Sequence, residues 1–292
     1  DGDGAQWRCH HCEWTGNLWR YTMKSPFKQN VQRKAPKIPD LNEELSDGVV
    51  KWFAKRGISA ATLDIAGVES GQAFIAGEKR NAIAFVHRDK DGKTINVKFR
   101  TQDKQFSQIK DGHRLPYLWN LVDTNAEHLI ITEGEVDALT CLEAGMTNVT
   151  SVPDGASDKK LAWIDELNGD LNTFKRIVLL TDGDDAGLAM RNELARRLGR
   201  TRCWRVEWPD GCKDANDVFI GYGRDKLVEL VDAAEPWPLK ALHETKAYAD
   251  DAFALLNGEV KRGVSTGIFA MDGNYRVRPG ELNIISGAPG VG

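Results

Sequence analysis

The sequence lacks any apolar run approaching the ~20 residues of a membrane span, and its start lacks the basic-then-apolar pattern of a secretion signal. Membrane insertion and export are not expected, and the chain reads as cytoplasmic. Excess charge is missing too: 39 Lys and Arg against 43 Asp and Glu leave −4 at pH 7 over 292 residues. A protein that coats nucleic acid through overall positive charge is excluded, so any such contact has to be local. Cysteine is scarce. Five residues, an odd number with two in one CxxC, suit a reducing compartment and metal chemistry better than a disulfide framework. What is present, 41% hydrophobic and 28% charged residues, builds a sizeable core, and the length allows two domains.

The two ends read as cut. Cys9 and Cys12 have the spacing of one zinc knuckle, but a zinc site needs two further ligands. Cys141, Cys203 and Cys212 are isolated, which places the missing half upstream and makes this a partial Zn²⁺ site; two incidental cysteines are the plainer alternative. At the other end, an apolar strand, Leu282 to Ile285, runs into Gly287-Ala288-Pro289-Gly290-Val291-Gly292. This is a P-loop stopped before its Lys and Ser/Thr, so ATP hydrolysis by the chain is not expected.

Between the ends, Arg20 to Lys37 carries six basic residues and no acid, interleaved with prolines. That is an extended linker, either a solvated tether or a transient contact for phosphates. Leu41 to Leu63 has apolar residues at helical spacing. Residues 81–88 and 94–100 flank Asp89-Lys90-Asp91-Gly92-Lys93 as a β-hairpin. On its second strand Asn96, Lys98 and Arg100 share a face; two cations there are either simply solvated or meet phosphates. From His128 onward short apolar strands alternate with helices: strands at 128–132, 148–152, 176–181 and 203–207, helices at 136–144, 159–167 and 186–198. The fold class expected is α/β, a mostly parallel, helix-covered sheet preceded by a smaller α+β subdomain.

Ligands on such sheets sit at the carboxyl ends of strands, and there two acidic turns occur, Glu133-Gly134-Glu135-Val136-Asp137 and Asp182-Gly183-Asp184-Asp185. Carboxylates packed closely repel, and binding of a hard divalent cation relieves them. Oxygen-only donors point to Mg²⁺ or Mn²⁺. Helix N-capping is the bland alternative, to which Asp137 and Asp185 are assigned.

Strand-EGxxDxL followed by strand-DxDxAG resembles the Toprim domain of bacterial-type primases, topoisomerases and some nucleases. Lys213-Asp214-Ala215-Asn216-Asp217 resembles the KDAN element of phage primase-helicases and of Twinkle. With the half zinc ribbon in front and the cut P-loop behind, the order is similar to a phage- or bacterial-type primase-helicase of the Twinkle kind. The resemblance implies a partial zinc ribbon (1–19), a basic linker (20–40), an N-terminal primase subdomain (41–127) and a Toprim domain (128–235). A linker with a helix (236–265) and the start of a RecA-like helicase domain (266–292) would follow.

The implied activity is RNA primer synthesis on single-stranded DNA from ribonucleoside triphosphates. Glu133 would be the acid nearest the reacting 3′-hydroxyl, with Asp182, Asp184 and Asp214 holding Mg²⁺ or Mn²⁺. Lys98, Arg100 and Lys213 would contact nucleotide phosphates. The helix expected over 244–256 would dock either on its own chain or on a neighbouring helicase subunit of a homo-oligomeric ring. Two other functions use the same features: a Toprim nuclease, which lacks a second nuclease motif here, and a catalytically silent DNA-binding scaffold, against which the retained acids argue.

Overall fold

The computed structural model describes residues 34–42, 44–155, 160–238, 248–257 and 263–278, the short stretches Gln6–Arg8 and Thr15–Asn17, and residues 259, 280 and 284. Two compact units result, Asp1–Leu239 and Lys240–Gly292.

In the first unit, β1 (Gln6–Arg8) pairs antiparallel with β2 (Thr15–Asn17). Cys9 and Cys12 fall between them, outside the described residues. β3 (Leu41–Asn42) precedes two helices, α1 (Asp47–Ala54) and α2 (Ala60–Ile65). These two helices occupy the stretch whose helical spacing the sequence displays. A five-stranded antiparallel sheet of order β3-β4-β5-β6-β7 is then completed by β4 (Val68–Ile75), β5 (Glu78–Arg88), β6 (Thr94–Arg100) and β7 (Phe106–Gln108). The expected hairpin is β5–β6, with Val86 opposite Val97.

One face of this sheet packs Ala73, Ile75, Ala82, Ala84, Val97 and Phe99 into an apolar cluster. The opposite face of β6 carries Asn96, Lys98 and Arg100, aligned across the ladder with His87, Phe85 and Ile83. Of the two cations on that face, Lys98 is not simply solvated, being 6% exposed, whereas Arg100 remains partly exposed. The face is covered by the second sheet.

That sheet has the order β12-β11-β10-β8-β9. Its elements follow as β8 (His128–Thr132), α3 (Glu135–Glu143), β9 (Val149–Ser151), α4 (Ala162–Glu166), α5 (Asn168–Leu171), β10 (Arg176–Leu180), α6 (Asp185–Leu198) and β11 (Cys203–Arg205). Helices α7 (Ala215–Tyr222) and α8 (Arg224–Asp232) lead to β12 (Glu235–Pro236). All pairings are parallel except β11–β12. Because both faces are covered, the central strands β8 and β10 carry continuous apolar runs: Ile130, Val178 and Leu180 enter one core, Leu129, Ile131, Ile177 and Leu179 the other. The first of these cores also takes Phe53, Leu63 and Phe85, so the two sheets share an interior. The mixed α/β architecture, a mostly parallel sheet behind a smaller α+β layer, agrees with the class read from the sequence.

The second unit contains α9 (Ala249–Leu256) and α10 (Phe269–Asp272). Residues 244–247 of the helix expected over 244–256 and the glycine-rich end lie outside the described residues. Among the described residues no helix is long and apolar enough to cross a membrane.

Candidate active site

Strand β8 is followed in sequence by β9 on one side, whereas β10 and then β11 lie on the other. The chain therefore reverses direction across the sheet between β8 and β10, and a crevice opens at their carboxyl ends. Glu133 directly follows β8 and Asp182 stands two residues beyond β10. The two loops are tied together: Glu133 N–H donates to the Leu180 carbonyl at 3.2 Å, and Asp182 N–H donates to Glu133 Oε2 at 3.1 Å.

A third loop arrives through Gly183 N–H, which donates to the Lys213 carbonyl at 2.8 Å, and through Trp208, whose indole N–H donates to the Thr181 carbonyl at 2.9 Å. Asp214 follows directly. Gly187 makes the turn possible, since a Cβ there would sit 2.2 Å from the Asp182 carbonyl oxygen. Capping does occur in this site, but not at Asp137 or Asp185. Asp184 caps α6, its Oδ1 accepting from Gly187 N–H at 2.9 Å, and Asp214 caps α7, accepting from Asp217 N–H at 2.8 Å. Each carboxylate is thus oriented through one oxygen.

The charges are crowded. Partial burial, with Asp182 beside it, pushes the Glu133 carboxyl up to about 7. Burial, with Asp214 and Asp184 nearby, raises Asp182 to about 6, and burial also raises Asp214. Asp137, assigned to helix structure on sequence grounds, belongs electrostatically to this group. Burial first and Asp214 second raise its carboxyl well above the usual range, and its Oδ1 accepts from Asn216 N–H at 3.3 Å. An all-carboxylate donor set with such mutual repulsion suits a hard divalent cation. Among the described residues no three acids are gathered closely enough to hold an ion as they stand.

Two adjoining cavities, about 230 and about 550 Å³, flank the Glu133-to-Asp137 turn and share Phe106, Gly134, Glu135 and Asp137 as walls. The larger contains Glu133, Asp182 and Lys98; the smaller contains Asp214, Lys213 and Arg100. Lys98 Nζ donates to Glu135 Oε1 at 2.6 Å with both side chains buried. Arg100 makes no ion pair among the described residues; its guanidinium lies 4.7 Å from the Trp52 ring centre and 5.7 Å from that of Phe106. Lys213 is exposed at the cavity edge.

Several contributors escaped the sequence reading. Arg56 and Lys104 add positive charge to the smaller cavity. Asn216 fastens the third loop, its Nδ2 donating to the Arg56 carbonyl and to Thr140 Oγ1, both at 2.9 Å. Their signal was present only as the fourth letter of the KDAN match and as unremarked basic residues.

A Toprim-like family matches residues 130–219. The Twinkle homologue of chloroplasts and mitochondria from Arabidopsis thaliana is 36% identical over all of this chain and 44% of its own length. A primase homologue from the same plant is 35% identical over 82% of this chain and 76% of its length. Among solved structures, the primase fragment of the bacteriophage T7 primase-helicase superposes with a TM-score of 0.53 at 25% identity, covering 77% of this chain and 90% of the fragment. The chain spans less than half the length of the plant Twinkle homologue.

Proposed function

The chain belongs to the Toprim primase family of phage-type and Twinkle-like primase-helicases, and from that premise we propose that it synthesises short RNA primers on single-stranded DNA. The observation that carries the proposal is the approach of Glu133, Asp182 and Asp214, on three separate loops, to two adjoining cavities, one lined by Lys98 and the other by Arg100 and Lys213. Reaction of a 3′-hydroxyl with a ribonucleoside triphosphate needs a proton acceptor and opposed charge for the phosphates; both are supplied within one crevice.

In this reading Glu133 faces the attacking hydroxyl. The free oxygens of Asp182, Asp184 and Asp214 would hold Mg²⁺ or Mn²⁺, which lowers the pKa of the hydroxyl and offsets charge on the departing pyrophosphate. Arg100 and Lys213 orient the triphosphate by charge, and Lys98 does so from the buried floor. We assign residues 41–127 to the N-terminal primase subdomain and 128–235 to the Toprim domain. Zinc, where bound, takes Cys9 and Cys12 as two of its ligands. The helicase module of the full-length protein and further copies in a ring are the proposed partners.

The test is incubation of the protein with Mn²⁺ or Mg²⁺, single-stranded template and labelled ribonucleotides. Short RNA should form, and Glu133→Gln and Asp182→Asn should each abolish it. Product formation that is indifferent to both substitutions removes the proposal, as does degradation of labelled template without RNA synthesis.

A further inference from the structure

An aromatic ring stands exposed inside the charged crevice. Phe106 is 51% exposed, yet it forms part of the wall of both cavities. Its backbone is fixed by β7, which pairs with β6 so that Phe106 lies opposite Arg100. Its ring is gripped by cations: Lys98 Nζ is 5.4 Å from the ring centre and Arg100 Cζ 5.7 Å. The arrangement continues inward, with Arg100 4.7 Å from the Trp52 ring and Arg56 3.6 Å from the same ring. Cations and rings therefore alternate from α1 to the cavity mouth, each worth roughly 0.5–1 kcal/mol where exposed and more where dry.

This ladder costs the molecule an apolar surface in water, but it presents that surface already ordered. A ring immobilised before binding loses little conformational freedom when a second flat group stacks on it. The neighbours restrict what that group is. Although Glu135, paired with Lys98, and Asp137 also wall these cavities, Arg100, which makes no ion pair among the described residues, and Lys104 bring unmatched positive charge to the ring's side, so the ligand joins a planar apolar part to an anionic part. A nucleotide has that chemistry, and stacking tolerates every base because every base has a π-face.

We propose that Phe106 is a stacking platform for a nucleobase, held while the phosphate of the same nucleotide meets the flanking cations. The inference rests on the primase reading and adds to it a residue that no acidic or basic motif marks. The base belongs either to the template strand or to the incoming ribonucleotide, and two measurements separate these sources.

Binding of a fluorescent oligodeoxythymidylate, followed by anisotropy, reports the template. The KM for ribonucleotide at saturating template reports the incoming base. Phe106→Leu keeps apolar bulk and removes the ring; Phe106→Tyr keeps the ring; thermal melting confirms that each variant folds. Loss of one stacked base should weaken one of the two constants by between about 5-fold and 150-fold in Phe106→Leu, with kcat little altered and Phe106→Tyr close to the parent. Both constants unchanged in Phe106→Leu overturns the platform while leaving primer synthesis intact. A parent protein that makes no primer overturns the primase reading and the platform together.

Discussion

At Gly187 one methyl group decides whether the acidic turn can form, because its Cβ would meet the Asp182 carbonyl oxygen at 2.2 Å. Backbone cannot yield as a side-chain tip does, so Gly187→Ala should displace Asp182 and Asp184. Calorimetry should then register a large loss of Mg²⁺ affinity in a protein that still melts cooperatively; undiminished affinity would refute the close-packing argument. The raised carboxyls make a second expectation. Glu133 and Asp182 bind protons more tightly folded, at about 7 and about 6, than at their ordinary values of 4.5 and 3.8. Their contribution to stability is complete below about pH 4 and is lost as pH rises toward about 7. The metal-free protein should melt at lower temperature at pH 8 than at pH 5.5 on this account, and Mg²⁺ should raise the pH 8 melt far more than the pH 5.5 one. Equal metal effects at the two pH values would count against these residues as ligands. Glu133, Asp182 and Asp184 were visible in the sequence because their turns follow apolar strands, and Asp214 through the KDAN resemblance. Which of them capped helices was not, since Asp184 and Asp185 differ only in where the helix starts, and Asp137 joins the group through burial that no local pattern announces.

At the level of elements, the Asn216 side chain ties the start of α7 to the Arg56 carbonyl, in the turn after α1, and to Thr140 of α3. Asn216→Ala would leave the Arg56 carbonyl without that donor and the Thr140 hydroxyl without its contact. A cost of about 1–3 kcal/mol is expected for such unpaired groups, readable as a lowered urea midpoint together with reduced primer synthesis; a midpoint like that of the parent would contradict it. Strand β6 and helix α3 are joined by Lys98 and Glu135. Lys98→Met strands a buried carboxylate and should cost about 3–5 kcal/mol, whereas Lys98→Met with Glu135→Leu should cost much less. Additive losses in this double-mutant cycle would show that the two charges do not act as a pair. The alternating helices and strands after His128 were legible from apolar runs alone. Strand β4, reading Val68-Glu69-Ser70-Gly71-Gln72-Ala73-Phe74-Ile75, was not: its inner half is polar and contains glycine, and it is a strand because β5 supplies a long partner. The period of β6 assigned Lys98 its face correctly, but local sequence carries no information on what covers that face.

Across the whole molecule, the crevice is composite: the acids come chiefly from the loops of the parallel sheet, and most of the cations from the antiparallel sheet, its loops and the turn after α1. Sequence patterns are local, so they resolved each half and left the meeting of the halves to the structure. The shared interior of Phe53, Leu63, Phe85, Ile130 and Val178 makes that meeting an outcome of folding rather than of ligand binding. Sheet order has a consequence in time as well. The antiparallel ladder from β4 to β7 closes through short loops and can form as soon as its own residues are made, whereas β8 must wait for β10, 48 positions later by the Arg176–His128 pairing, and Glu133 must wait for Asp214. Non-local parallel pairing is slow to form, and synthesis proceeds at about 5–20 residues per second. For several seconds on the ribosome, then, a nascent chain carries the cations of the antiparallel layer before Asp182 and Asp214, the carboxylates that later share the crevice, have been made.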